Sequence, residues 1–127
     1  MTIVSPGPRP LMFLLTEARG QRSRGNRTIA ANSGVIVSGQ VCSTLTASGL
    51  AKPLAPAAAD GTQNADSISM YRYDSTGAAI MGAFIERDAE VKEEELVWPA
   101  GITGPQKLAA IASLKAAGII IRPASYV

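Results

Sequence analysis

The sequence predicts a mostly β protein that carries one α-helix near its C-terminus. Short runs of β-branched and other apolar residues recur along the chain, separated by turn-forming Gly, Pro, Asn and Asp. A single long run of good helix formers covers about residues 105–117. With 127 residues the chain has the length of one domain, and its 5% aromatic content predicts a small core of the kind that a second subunit often completes.

The first residues predict an extended N-terminal arm. Pro6, Pro8 and Pro10 exclude a helix, so this stretch is either a disordered tail or an arm that becomes ordered against a partner. An apolar run follows, either a buried strand or a plug on the arm, made of Leu11, Met12, Phe13, Leu14 and Leu15. We therefore expect residues 1–27 to form an arm and a basic loop, and residues 28–127 to form a single β-rich domain.

The basic loop contains four arginines, namely Arg19, Arg22, Arg24 and Arg27. These are solvated charges or partners for the protein's own carboxylates, or else they contact another protein, since arginine is favoured at interfaces. Binding to nucleic acid is disfavoured, because no aromatic residues are interleaved with the arginines and the net charge is only +2.

The middle of the chain predicts short strands at residues 28–30, 35–38 and 41–46, and a hairpin of residues 68–73 with 78–85 around the turn at 74–77. Cys42 lies within the third of these strands and is expected to be a small core residue. Residues 47–65 contain two prolines and an Asp-Gly turn, so we expect an exposed surface loop.

Residues 86–95 contain six carboxylates, which predict a solvated turn or an electrostatic docking edge. A metal site is disfavoured there, because the segment lacks calcium-loop spacing and Arg87 and Lys92 interrupt it. Residues 96–98 then predict a strand that ends at Pro99. Thr103 or Gly104 is expected to cap the helix, with Leu108, Ile111 and Leu114 on one stripe, and residues 119–121 predict a last strand.

The residue inventory argues against most kinds of enzyme. The sequence has no histidine, one cysteine and no Gly-rich phosphate loop, so no catalytic residues, metal ligands or cofactor are predicted. One cysteine cannot form an internal disulfide, which indicates a reducing compartment. The sequence also has no apolar run long enough for a membrane span, and its start does not have the pattern of a secretory signal.

The segments 87–91, 96–103 and 114–122, together with the opening pattern 13–24, resemble tailed-phage head decoration proteins of the lambda protein D type. The resemblance implies a β-clip-like small barrel or sandwich that forms a homotrimer. It also implies binding to the major capsid protein on the outer surface of an expanded head, at three-fold and quasi-three-fold positions. The expected function is to stabilise the head against internal DNA pressure, in a virion assembled in the host cytoplasm.

The same resemblance suggests roles for particular residues. The apolar run 11–15 would be the capsid-binding arm, disordered in the free protein, and the four loop arginines would supply interface charges. Trp98 and Pro99 would lie in the core or at the trimer seam. Two alternatives stay open: another virion module, such as a tail or fibre-tip component, and, less favoured, a nucleic-acid-binding module that uses the arginine loop.

Overall fold

A closed five-stranded barrel forms the centre of the fold in residues 10–123, the part of the chain that the computed structural model describes. Around the barrel the strands follow the order β2-β5-β4-β6-β8. β2 and β5 are parallel, and the pairs β2-β8, β4-β5, β4-β6 and β6-β8 are antiparallel. A three-stranded sheet, β1-β9-β10, and a two-stranded sheet, β3-β7, lie outside it. The strands are β1 Leu14–Glu17, β2 Arg24–Ile29, β3 Val35–Ile36, β4 Val41–Thr44, β5 Ala51–Pro53, β6 Ala65–Ser69, β7 Tyr73–Asp74, β8 Ile80–Ile85, β9 Ala89–Lys92 and β10 Ile119–Arg122.

These elements confirm the prediction of a small, mostly β barrel with one C-terminal helix. The helix, α1, covers Gly104–Ala116. The predicted boundary between residues 27 and 28 falls inside β2, so it does not separate two units of the described fold.

Two apolar clusters lie on opposite faces of the barrel wall. The interior cluster consists of Ile29, Ile36, Cys42, Ala51 and Phe84. The larger outer cluster lies between the barrel, the three-stranded sheet and α1, and includes Phe13, Val41, Ile68, Ile85, Val91, Leu114 and Ile119. Neighbouring residues of β4, Val41 and Cys42, therefore enter different clusters, as the two-residue period of a strand requires. The prediction that Cys42 is a core residue is confirmed.

The helix connects two parallel strands of the outer sheet. β10 is parallel to β9 with Ile119 opposite Ala89, and parallel neighbours need a crossover connection, which α1 provides. Thr103 caps the helix: its hydroxyl accepts a hydrogen bond from the Gln106 amide at 3.2 Å, and the Gln106 side chain accepts one from the Thr103 amide at 3.0 Å. This reciprocal capping box fixes where the helix begins.

The predicted apolar stripe of the helix is wrong at Leu108. Ala110 and Leu114 are the buried residues, whereas Leu108 is 69% exposed. Residues six apart on an α-helix point about 120° from one another, so Leu108 cannot share the buried face of Leu114. Ala110 is four residues from Leu114 and lies almost directly above it.

Three further predictions are corrected by the strand pairing. Residues 47–65 are not simply an exposed loop, because they contain β5, where Ala51 is fully buried between β4 and β2. The acidic stretch contains β9, the central strand of the outer sheet. The predicted strand at 96–98 is reduced to a single bridge between Val97 and Gln40.

The predicted hairpin is confirmed where its two strands pair, at Ile68 with Ile85 and Ser69 with Phe84. The two strands are not paired with each other near the tip of the hairpin, because β7 pairs with β3 instead.

Candidate interaction surfaces

The N-terminal apolar run belongs to the protein's own fold. Phe13 is 1% exposed within the outer cluster, and Leu14 and Leu15 form part of β1. The Leu11 amide donates a hydrogen bond to the Ser38 hydroxyl at 3.1 Å. The expectation that residues 11–15 are disordered in the free chain is therefore corrected. Phe13 fills a site in the outer cluster, and this site would be empty if the arm were solvated.

A glycine in the left-handed region lies beside Phe13. Gly39 has a φ of +86°, and a Cβ added there would lie 2.7 Å from the Glu95 carbonyl oxygen and 3.5 Å from Phe13 Cδ1. Any larger residue would be strained and crowded at this position. Met12, by contrast, is 43% exposed and points away from this site. Whether residues 11–15 contact a capsid stays a prediction, and residues 1–9 lie outside the described part of the chain.

Arg24 joins the first two strands through a two-point ion pair. Its Nε donates to Glu17 Oε2 at 2.8 Å, and its Nη2 donates to Glu17 Oε1 at 2.5 Å. The hydrogen bonds from Arg24 hold the pKa of Glu17 below its ordinary value, although partial burial acts in the opposite direction. The guanidinium is therefore held in one orientation by its own chain.

Arg27 lies in a polar network at one mouth of the barrel. Its Nε donates to Glu86 Oε2 at 2.5 Å, and its Nη1 donates to Asp66 Oδ1 at 2.9 Å and Thr44 Oγ1 at 2.6 Å. Burial acts to lower the pKa of Arg27, but hydrogen bonding to Glu86 and attraction by Asp66 outweigh it and raise the pKa above its ordinary value. These contacts join β2, β4, β6 and the residue after β8.

The other two loop arginines are more accessible. Arg22 forms a salt bridge of 3.2 Å with Asp88, but the two side chains are 70% and 47% exposed, so the pair contributes little to stability. Arg19 is exposed and forms no salt bridge within residues 10–123. The interpretation that the arginines are partners for the protein's own carboxylates is thus confirmed for Arg22, Arg24 and Arg27. This pairing leaves less positive charge for the phosphates of a nucleic acid.

Trp98 packs at the edge of the protein's own core, and Pro99 beside it is half-buried. Lys107 Nζ lies 5.3 Å from the centroid of the Trp98 ring and 3.1 Å from Glu93 Oε1. The indole Nε1 is buried and has no hydrogen-bond acceptor among the described residues. The sequence predicted that Trp98 lies either in the core or at the trimer seam. The structure shows how Trp98 packs within its own chain, and a position at the trimer seam stays a prediction.

Several large apolar side chains are exposed, a feature that the sequence patterns did not indicate. They are Met12, Val35, Tyr71, Ile80, Met81 and Leu108. Leu108 and Met81 are the most exposed, at 69% and 63%. Helical spacing along α1 places Leu108 away from the buried face, and Ile80 and Met81 are consecutive residues at the exposed start of β8.

Four of the six carboxylates of the acidic segment, namely Glu86, Asp88, Glu90 and Glu93, form ion pairs with the protein's own cations. Glu90 pairs with Arg122 and accepts a hydrogen bond from the Thr16 hydroxyl, and Glu93 pairs with Lys107. Within residues 10–123, no group of three or more His, Cys, Asp or Glu side chains is placed to hold a metal ion. In that same range no helix is long and apolar enough to cross a membrane.

The barrel, its ion pairs and its exposed apolar side chains define a small β protein of the structural, contact-making class. The family model of bacteriophage lambda head decoration protein D matches residues 4–119, which is most of the chain. The chain therefore belongs to this family, and the predicted resemblance is confirmed. Membership assigns it to the decoration proteins of the phage capsid and places it in the virion. A search of curated proteins found no match to this chain.

Proposed function

We propose that this protein binds the outer surface of an expanded phage head as a homotrimer, at three-fold and quasi-three-fold positions. Its action there is to hold neighbouring capsid subunits together against the pressure of packaged DNA. The observation that carries the proposal is the family match over residues 4–119. The closed barrel also supports it, because a body with paired strands and partly buried ion pairs can transmit force without rearranging.

The proposed contact with the major capsid protein is made by the chain around and before Met12. Hydrogen bonding of β1 to β9 fixes residues from Leu14 onward, and burial fixes Phe13. Met12 is exposed beside this anchored residue, so it is the apolar side chain of the run that is free to meet a capsid. Residues 1–9 precede it and form the rest of the proposed arm.

Trimer formation would strengthen a weak single contact. Ordering an arm costs about 1–2 kcal/mol per residue for the backbone alone, so one arm binds only modestly. Three arms held together act at a high effective concentration, which raises the overall affinity without new contacts. Such binding requires three capsid sites at the correct spacing, which explains a preference for the expanded head.

Sedimentation with purified phage heads tests the proposal. The full chain should sediment with expanded heads and stay in solution with unexpanded precursors, and light scattering should give the mass of a trimer. A variant lacking residues 1–9 should keep its thermal midpoint but no longer sediment. Deletion through residue 15 is unsuitable, because it removes Phe13 from the core.

Two results would contradict the proposal. If the full-length protein does not bind expanded heads, the proposed function is wrong. If it binds tails but not heads, the alternative of a tail or fibre-tip component is favoured. If the variant without residues 1–9 still sediments with heads, the arm is not the capsid contact.

A further inference from the structure

An open cleft of about 310 Å³ lies beside the barrel wall, at the edge of the basic loop. Ala83 of β8 lies at its floor, opposite Asn26 of β2, and the Met70 amide donates a hydrogen bond to the Ala83 carbonyl at 3.0 Å. Arg24, Gln21 and Tyr71 form its walls. The cleft exists because a small residue, Ala83, stands between these larger neighbours.

The cleft combines an apolar floor with hydrogen-bond donors at its mouth. Ala83 and the partly exposed ring of Tyr71 supply the apolar surface, whereas Met70 is 1% exposed and belongs to the core. Gln21 and Asn26 are exposed at the mouth and carry amide groups. Glu17 holds the Arg24 guanidinium by two hydrogen bonds, so this wall is in place before any partner arrives.

The surroundings of the cleft are positively charged. Residues 19–24 and 71–72 carry four arginines and no carboxylate. Glu17 and Asp88 are salt-bridged to two of these arginines. The other two, Arg19 and Arg72, are exposed and form no salt bridge within residues 10–123, although Asp74 lies near enough to Arg72 for electrostatic attraction. A partner that approaches the cleft therefore meets positive charge around its apolar surface.

A protein side chain fits this arrangement better than a free small molecule or a nucleic acid. The volume is at the lower limit of roughly 300–1,000 Å³ for small-molecule sites, and the open mouth would leave a small ligand largely in water. Single-stranded nucleic acid would need a row of stacking aromatics, and Tyr71 is the only aromatic residue that lines the cleft. A single apolar anchor in a pocket with a polar rim is typical of protein–protein contacts.

We infer that this cleft receives one large apolar side chain, of the size of leucine or phenylalanine, carried on an acidic segment of another protein. The apolar side chain packs on Ala83 and Tyr71, and the flanking carboxylates face Arg19 and Arg72. The identity of that other protein as the major capsid protein rests on the proposed function. The contact is separate from the N-terminal arm and would fix the orientation of the barrel on the capsid.

Titration with short blocked peptides, followed by amide NMR, tests the chemistry of the cleft. A peptide with phenylalanine flanked by glutamates should shift the amide signals of Asn26, Tyr71 and Ala83, whereas the same peptide with flanking lysines should not. Asn26→Trp places a bulky side chain at the mouth and should weaken binding at least tenfold. Thr28→Trp, two residues along the same strand face and outside the cleft, is the matched control and should bind as the parent does.

The outcomes separate this inference from the proposed function. Shifts elsewhere on the surface, equal shifts with the lysine peptide, or none up to about 10 mM peptide would overturn the cleft as a binding site. Expanded heads that bind the parent chain and a folded Asn26→Trp variant equally would overturn the capsid as its partner. If the parent chain binds the acidic peptide at the cleft but never binds heads, the proposed function fails and the binding site stands.

Discussion

The main-chain carbonyl of Phe13 accepts a hydrogen bond of 2.8 Å from the amide of Lys92. This contact ties the residue before β1 to the last residue of β9, the central strand of the outer sheet. It explains how an apolar run next to three prolines becomes part of the core. Phe13 is therefore held in the fold by its main chain as well as by its buried ring, and Leu11 before it is hydrogen-bonded to Ser38.

Replacing Phe13 by alanine should lower the free energy of unfolding by about 3–5 kcal/mol, because it empties a fully buried aromatic site. Met12→Ala is the matched control, since Met12 is adjacent but exposed, and it should change stability by less than about 0.5 kcal/mol. Urea unfolding of both variants measures this difference. Equal losses in the two variants would show that Phe13 is not a core residue.

Replacing Arg27 by methionine should cost about 2–3 kcal/mol, because Asp66 would then lose its cation and Glu86 would keep only its salt bridge to the more exposed Arg87. The value is below the ~3–5 kcal/mol of a fully buried pair, since Asp66 is 35% exposed. Arg22→Met breaks an exposed pair and should cost less than about 0.5 kcal/mol. Adding Glu86→Gln to Arg27→Met should recover part of the loss in urea unfolding, and no recovery would contradict the network.

Two substitutions of Trp98 should separate its packing from its polar group. Trp98→Ala should lower the free energy of unfolding by about 3 kcal/mol, since the ring packs against the outer cluster. Trp98→Phe should be nearly neutral, because it keeps most of the ring surface and removes a buried N–H that has no acceptor in the described structure. A thermal midpoint unchanged by Trp98→Ala would reject the packing role.

Stability should fall in acid, in part because the Arg24 hydrogen bonds hold the pKa of Glu17 below its ordinary value of 4.5. A carboxyl group whose pKa is lowered by folding adds stability above its unfolded pKa, and this stability is lost as the pH falls through the folded pKa. The thermal midpoint of Glu17→Gln should be below that of the parent at about pH 6, and the gap should narrow as the pH falls through the lowered pKa of Glu17. Glu94→Gln, at an exposed position, should show no such gap. A gap independent of pH would contradict this assignment.

The Cys42 thiol should be inert in the folded protein. Burial, reinforced by the charge of Asp66, raises the pKa of Cys42 to about 12, and the side chain is fully buried. A thiol reagent should therefore label the protein only after unfolding. Thr46→Cys adds an exposed thiol beyond the end of β4 and should be labelled at once. Rapid labelling of the parent chain would show that the barrel opens.

Local sequence signals predicted the elements whose causes are local. The helix was recognisable from Thr103, Pro105 and a run of helix formers, because capping and propensity act within one turn. The hairpin around residues 74–77 was predicted by turn residues between two alternating runs, and its base pairs as expected.

The elements that the sequence did not reveal depend on distant partners. β5 has three residues, one of them a proline, and is a strand because β4 and β2 lie on either side of it. Arg27 forms ion pairs with Asp66 and Glu86, which lie 39 and 59 positions further along the sequence. No local sequence pattern indicates contacts over such a separation. The cleft likewise requires β2, β8 and the residues that follow β6 to meet at Ala83.

The sequence by itself determined the class of fold, the position of the helix and the family, because propensity, periodicity and motif order are written along the chain. Only the tertiary structure decided which apolar residues are buried and which arginines are neutralised. It placed Phe13 in the core and left Leu108 in solvent, although both are apolar and lie in apolar runs. The physical reason is that burial and ion pairing depend on distances across the fold, which strand register and helix rotation set and composition does not.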